Sequence, residues 1–128
     1  MSEQQLPTIS RSAQMAPQAT RRPGLLERRL LGPERSAHQN LVLIDAEEGA
    51  EVELHQVANS ESFFVIRGEL LVSGPGFEEA LGPGDLCHFH PGMKHAVRVV
   101  SGPAQFLVVF APGRSAGEAP PSSGSADE

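Results

Sequence analysis

Two short stretches, HQVANSE at residues 55–61 and GDLCHFHPGMKH at residues 84–95, hold most of the side chains in this chain that could do chemistry. The second carries three of the five histidines and the only cysteine. Imidazole and thiolate are ligands that transition metals prefer, and a carboxylate beside them completes a common donor set. The first stretch presents His55 and Glu61. In an extended strand, residues two apart share a face, so a His-x-His pair would offer two imidazoles to one ion. Residue 57 is valine instead. The pair of stretches therefore reads either as a metal site or as one that has lost a ligand.

Other chemistries lack their apparatus. The chain has no Gly-rich phosphate loop, no His-Glu-x-x-His run, no Cys-x-x-Cys pair and no nucleophile elbow. It contains no Trp or Tyr, which excludes a tyrosine acid and an indole platform for sugars. The formal net charge is −6, unevenly spread: residues 1–35 carry six arginines against three acids, and the rest four bases against thirteen acids. An acidic body disfavours nucleic acid as a partner. No apolar run is long enough to span a bilayer or to form a secretory core, and a single cysteine permits no internal disulfide. Together these predict a cytoplasmic protein with no membrane partner.

The elements that must position the histidines read as strands. AEVELHQV alternates, with Val52, Leu54 and Gln56 on one side and Glu51, Glu53, His55 and Val57 on the other. ESFFVIRGELLVSG reads as a hairpin: a run from Phe63 to Ile66, a turn at Arg67-Gly68-Glu69, and a partner strand from Leu70 to Val72. LCHFH extends, PGMKH turns, and AVRVV and AQFLVVFAP complete the series. Turn signals recur about every ten residues, the spacing of a sandwich or barrel. GLLERRLLG, residues 24–32, has helical spacing but also suits an edge strand.

Residues 1–24 and 112–128 are rich in turn formers and polar residues and read as a flexible N-terminal segment and a disordered tail around one domain at residues 25–111. So small a core predicts a homodimer. Phe63, Phe64, Phe77, Phe106 and Phe110 are expected in the core or in a dimer contact. Arg67 and Arg98, the arginines of the central strands, would anchor a carboxylate or phosphate if they faced a cavity. His88 and His90 would contact the same substrate if they faced inward. By alternation, however, Cys87 and Phe89 share one face and Leu86, His88 and His90 the other.

The two stretches together resemble the paired signature motifs of the cupin superfamily. The first motif runs Gly, five residues, His-x-His, three or four residues, Glu, six residues, Gly. It is matched here by Gly49, His55, Glu61 and Gly68, with Val57 in place of the second histidine. The second runs Gly, five residues, Pro-x-Gly, two residues, His, three residues, Asn. Gly84, Gly92 and His95 match it, His90 stands at the proline position with Pro91 one place late, and Val99 replaces Asn. Fifteen residues separate Gly68 from Gly84, as in small single-domain members.

The resemblance implies an all-β double-stranded β-helix, or jelly roll, with His55, Glu61 and His95 as metal ligands. Some cupin families, ectoine synthase among them, take a further ligand three residues after the second motif's first glycine, which would make Cys87 a fourth. The implied cofactor is a divalent transition metal, iron(II) first, with zinc, nickel and manganese as alternatives. Two functions follow. One is a metalloenzyme of dioxygenase, isomerase or lyase type acting on a small polar organic substrate. The other is a non-catalytic small-molecule-binding or pathway accessory protein with a vestigial site.

Overall fold

The computed structural model of the chain describes residues 5–113. It contains a 3₁₀ turn at Ser12–Gln14 and eight strands: β1 (Gln18–Ala19), β2 (Leu25–Leu31), β3 (Asn40–Ala46), β4 (Glu51–His55), β5 (Ser60–Gly74), β6 (Phe77–Leu81), β7 (Leu86–Phe89) and β8 (His95–Ala111). Among the described residues no helix is long and apolar enough to cross a membrane.

Two long strands organise the barrel. The first half of β5 pairs with β7 on one side and with the end of β8 on the other, and β3, β2 and β1 follow beyond β8. The second half of β5 pairs with β6 and with the start of β8, which in turn pairs with β4. All pairings are antiparallel. Two sheets thus share two bent strands, which is the jelly-roll architecture expected from the motifs.

The expected hairpin at Arg67-Gly68-Glu69 is a corner instead. Gly68 has φ +85°, a conformation open to glycine. A Cβ there would lie 2.7 Å from the Cα of Ala104 and from the carbonyl oxygen of Ser101. The chain passes through this close contact and continues forward as one strand. The burial pattern records the bend: Glu61, Phe63 and Val65 face inward before it, Leu70 and Val72 after it. The same change of parity joins AVRVV and AQFLVVFA into the single strand β8, with Val97 and Val99 inward before Ser101 and Ala104, Phe106, Val108 and Phe110 inward after it.

GLLERRLLG resolves as β2, held between β1 and β3 rather than at the edge. The Leu25 side chain joins the core, and Leu26 faces out. Residues 18–24 are joined to it: β1 pairs with β2, and the turn between them is closed by hydrogen bonds of Thr20 and Leu25. The packed unit therefore begins before residue 25. The tail expected at residues 112–128 lies, from residue 114 onward, outside the described residues.

The core is apolar and aromatic. Phe63 stacks on Phe106 and meets Phe89 edge-on, with centroids 5.4 Å apart in both pairs. Burying a phenylalanine contributes about 1.5–3 kcal/mol, and such ring pairs add about 0.5–1.5 kcal/mol. Phe110 is fully buried, whereas Phe64 is 41% exposed on the outer face.

Candidate functional site

β4 and β8 lie side by side, and His55 stands directly opposite His95. Strict alternation would put Val52 and His55 on opposite faces, but one extra residue on β4 between the pairs Val52–Val97 and His55–His95 forms a bulge. Val52 and His55 consequently both face inward, and Leu54 faces solvent. Glu61 enters from the start of β5, opposite Phe89 on β7 and Phe110 on β8. His95 and Glu61 are buried, and His55 is half-buried.

The ligand atoms of His55, Glu61 and His95 all lie within 4.8 Å of one another. Each histidine has one ring nitrogen engaged: Nδ1 of His95 lies 3.1 Å from the Met93 carbonyl, and Nδ1 of His55 lies 3.0 Å from the Glu53 carbonyl. A carbonyl only accepts, so both Nδ1 atoms carry the hydrogen, and in the neutral ring each Nε2 keeps a lone pair. His95 Nε2 is 2.9 Å from Glu61 Oε1, and both atoms are buried with no hydrogen-bond partner.

Two electron-rich atoms held this way suit a shared cation. Ligand atoms about 2.1 Å from one ion and about 90° apart stand roughly 3 Å from each other. The backbone carbonyls of Met93 and Glu53 fix the ring tautomers as outer partners of metal-bound histidines do. Packing fixes their direction: the His95 ring is stacked 3.9 Å from Phe89 at 5° and meets Phe63 edge-on. Burial pushes the His55 pKa below its ordinary value, with a further push from His95 and Arg22 that the Glu53 carbonyl and Glu61 oppose. Its neutral, metal-ligating form is thereby favoured. The residues present fit a divalent metal.

Cys87 faces inward with Phe89, as alternation requires, and packs against the core opposite Phe63. It lies outside the converging group of three. Val57 is buried and offers no donor atom. Arg67, Arg98, His88 and His90 are all exposed, and none lines the inner cavity. Arg98 falls between inward Val97 and Val99, and Arg67 falls in the corner, where the register shifts. His88 lies on the outer face of β7, its Nδ1 2.7 Å from the Ser62 hydroxyl, with the His90 ring beside it.

The cationic group that does reach the cavity is Arg22, from the segment that composition alone marks as loose. It is 5% exposed and lines the same cavity as His55 and Glu61, a space of about 30 Å³ walled by Leu25, Ile44, Phe63 and Phe106. Its Nε donates to Glu53 Oε1 at 3.1 Å. Glu53 is held below its usual carboxylate value, first by hydrogen bonding within its own residue's backbone and then by Arg22. No local motif marks Arg22; the only trace in sequence is the arginine surplus of the first 35 residues.

Inside this jelly roll two imidazoles and a carboxylate converge, a group that could hold a metal ion. The chain belongs to the cupin family: the Cupin domain model matches residues 40–110. Its fold is similar to that of KdgF from Halomonas sp. (19% identity, TM-score 0.76, covering 83% of this chain and 95% of that one). It is also similar to an RmlC-like cupin from Shewanella frigidimarina (25% identity, TM-score 0.74, 88% and 96% covered). Oxalate decarboxylase from Bacillus subtilis, an enzyme with Mn(II) centres, matches at 24% identity and TM-score 0.71, with 87% of this chain aligned to 31% of that one. No curated protein sequence matches the chain significantly.

Proposed function

We propose that this protein is a small cupin metalloenzyme in which His55, Glu61 and His95 hold a divalent transition metal, and that it acts on a small polar organic molecule by dioxygenase, isomerase or lyase chemistry. The observation that carries this reading is the convergence of two Nε2 lone pairs and a buried carboxylate with no hydrogen bond between the facing His95 and Glu61 atoms. A buried carboxylate beside two neutral imidazoles is costly without a cation. Iron(II) is the first choice of metal, since two histidines and one carboxylate form its familiar oxygenase set, with zinc, nickel and manganese as alternatives.

When bound, the metal supplies Lewis acidity and, as iron, the capacity to activate dioxygen. The chain's own residues do the rest. The Glu53 and Met93 carbonyls hold Nδ1 of His55 and His95 as donors, so Nε2 is the atom each ring would offer the metal, and a ligating Nε2 is not a proton donor. Glu61 acts as a ligand and not as a free base. The aromatic and aliphatic wall of Phe63, Phe106, Leu25 and Ile44 keeps water out and strengthens every charge interaction inside.

Elemental mass spectrometry of untagged protein purified without chelator tests the reading. About one equivalent of metal, lost in His95→Ala, is expected. A chain that stays empty when offered each of the four metals would favour the other reading, a binding or accessory cupin with a vestigial site. That second reading draws on Val57 and on the small volume of the cavity.

The reading includes a homodimer. Phe64 and Leu86 are cross-strand neighbours on the outer face, 41% and 63% exposed, with Ile66 beside them at 44%. Light scattering at micromolar concentration should give twice the chain mass, and a monomer there would count against it.

A further inference from the structure

Arg22 has a donor that the fold leaves unused. Its side chain is buried, its Nε is taken by Glu53, and its Nη2 is buried with no hydrogen-bond partner. A guanidinium is always charged, and a buried donor without a partner is expensive. An arginine whose only task was to fasten the N-terminal segment to Glu53 could do so at the surface, where Glu53 already meets Arg21. Arg22 instead lines two spaces at once: the inner cavity with His55 and Glu61, and an outer cleft of about 590 Å³ with Gly49, Glu51 and Glu53. It stands at the boundary between solvent and the three converging ligands.

Charge decides what Arg22 would receive. Glu61 is the single acid lining the inner cavity, and a divalent ion more than offsets it, so with Arg22 added the interior is positive even after Glu53 at the rim is counted. The remaining wall is apolar. A cation would be repelled, and a neutral ligand could accept a hydrogen bond from the guanidinium but would leave its charge unpaired. An anion with two oxygens matches its planar fork.

We propose that Arg22 is the substrate anchor of this protein: its free Nη2 receives the carboxylate of a small organic acid whose other end faces His55, Glu61 and His95. The N-terminal turn at residues 20–25 thereby becomes part of the binding site, and specificity for acids over neutral analogues resides in a residue outside both signature motifs. The cavity of about 30 Å³ admits little more than the head of such a molecule, so its body lies toward the outer cleft. This inference rests on the metal reading both for the positive interior that selects an acid and for the acid's second contact, and the unused Nη2 of Arg22 is the observation independent of it.

The test is calorimetric titration with acetate, oxalate and malonate, with malonamide as the neutral control, on the wild-type chain offered zinc and on the same chain stripped of metal. Wild type should bind at least one of the acids and bind malonamide at least tenfold more weakly. Arg22→Gln should weaken acid binding about tenfold or more, as loss of a charge-assisted bond does, and Arg22→Lys by less. Arg67→Gln and Arg98→Gln, which alter exposed arginines, should match wild type. Zinc retained by Arg22→Gln should equal that of wild type. Equal acid affinity in wild type and Arg22→Gln, or no acid binding by wild type in either form, would overturn the proposal. Should Arg22→Gln fail to fold, Arg22→Lys decides by the same comparison. If wild type retains no zinc yet binds acid through Arg22, the metal reading falls and the anchor remains.

Discussion

Glu61→Gln separates a metal-ligand trio from an ordinary buried ion pair, because the two predict opposite signs in the metal-free protein. In the trio, Glu61 Oε1 and His95 Nε2 face each other at 2.9 Å as two acceptors with no hydrogen between them. A glutamine amide can place an N–H in that gap and donate to the lone pair of His95. Two facing acceptors are thereby replaced by one hydrogen bond, while the amide's second N–H takes back part of the gain, which leaves about 1–3 kcal/mol. The metal-free variant should be more stable than wild type by about 1–3 kcal/mol, or roughly 4–20 °C in a domain of this size.

With metal the order reverses. Wild type at a hundred times its dissociation constant gains about 2.7 kcal/mol, or roughly 10–20 °C, and the variant gains little of it. Differential scanning calorimetry with and without zinc, after stripping by chelator, reads both effects. If His95 were instead an imidazolium bonded to the carboxylate, the metal-free variant would lose about 3–5 kcal/mol, since one partner of a buried pair would be left alone. That loss, together with an unchanged response to zinc, would refute the reasoning.

Val57→His should tighten zinc retention against a competing chelator by at least tenfold at little cost in stability; a large loss of stability with no gain in retention would show that residue 57 does not face the trio. Gly68→Ala places a side chain in the left-handed region, at about 1–2 kcal/mol, and against the backbone of Ala104, at about 1–3 kcal/mol. Urea unfolding should show a loss of about 2–5 kcal/mol, and a loss under 1 kcal/mol would mean the corner is soft. Burial, and then the charge of Glu79, raise the Cys87 pKa above the ordinary thiol value. Less thiolate is therefore present at any given pH, and alkylation by iodoacetamide at pH 8 should run slower than for glutathione and keep rising with pH beyond the point where glutathione levels off. A rate equal to that of the free thiol would contradict this burial.

The residues of the trio were legible because motif spacing is a local property. His55, Glu61 and His95, named from two short stretches, are the three side chains that the fold brings together. The inward turn of Cys87 and Phe89 and the outward turn of Leu86 and His88 also follow from period-two alternation alone. The path of the chain through Gly68 did not follow. A glycine at positive φ serves a reversal and a corner equally well, and the choice rests with β8, about thirty residues away, which runs alongside both halves of β5.

The same limit explains the other departures. LLERRLL suits a helix face or a strand until β1 and β3 claim its two edges. The bulge before His55 breaks an alternation that looked unbroken, because the extra residue is visible only against the register of β8. Arg67 and Arg98 are strand arginines, and nothing local distinguishes an arginine facing a cavity from one facing water. Composition by itself determined an acidic, strand-rich chain with ligand-type residues at fixed spacing. Only the tertiary structure could decide which cation stands beside them, since Arg22 lies thirty-three positions before His55 and is carried to the cavity by the pairing of β1 with β2.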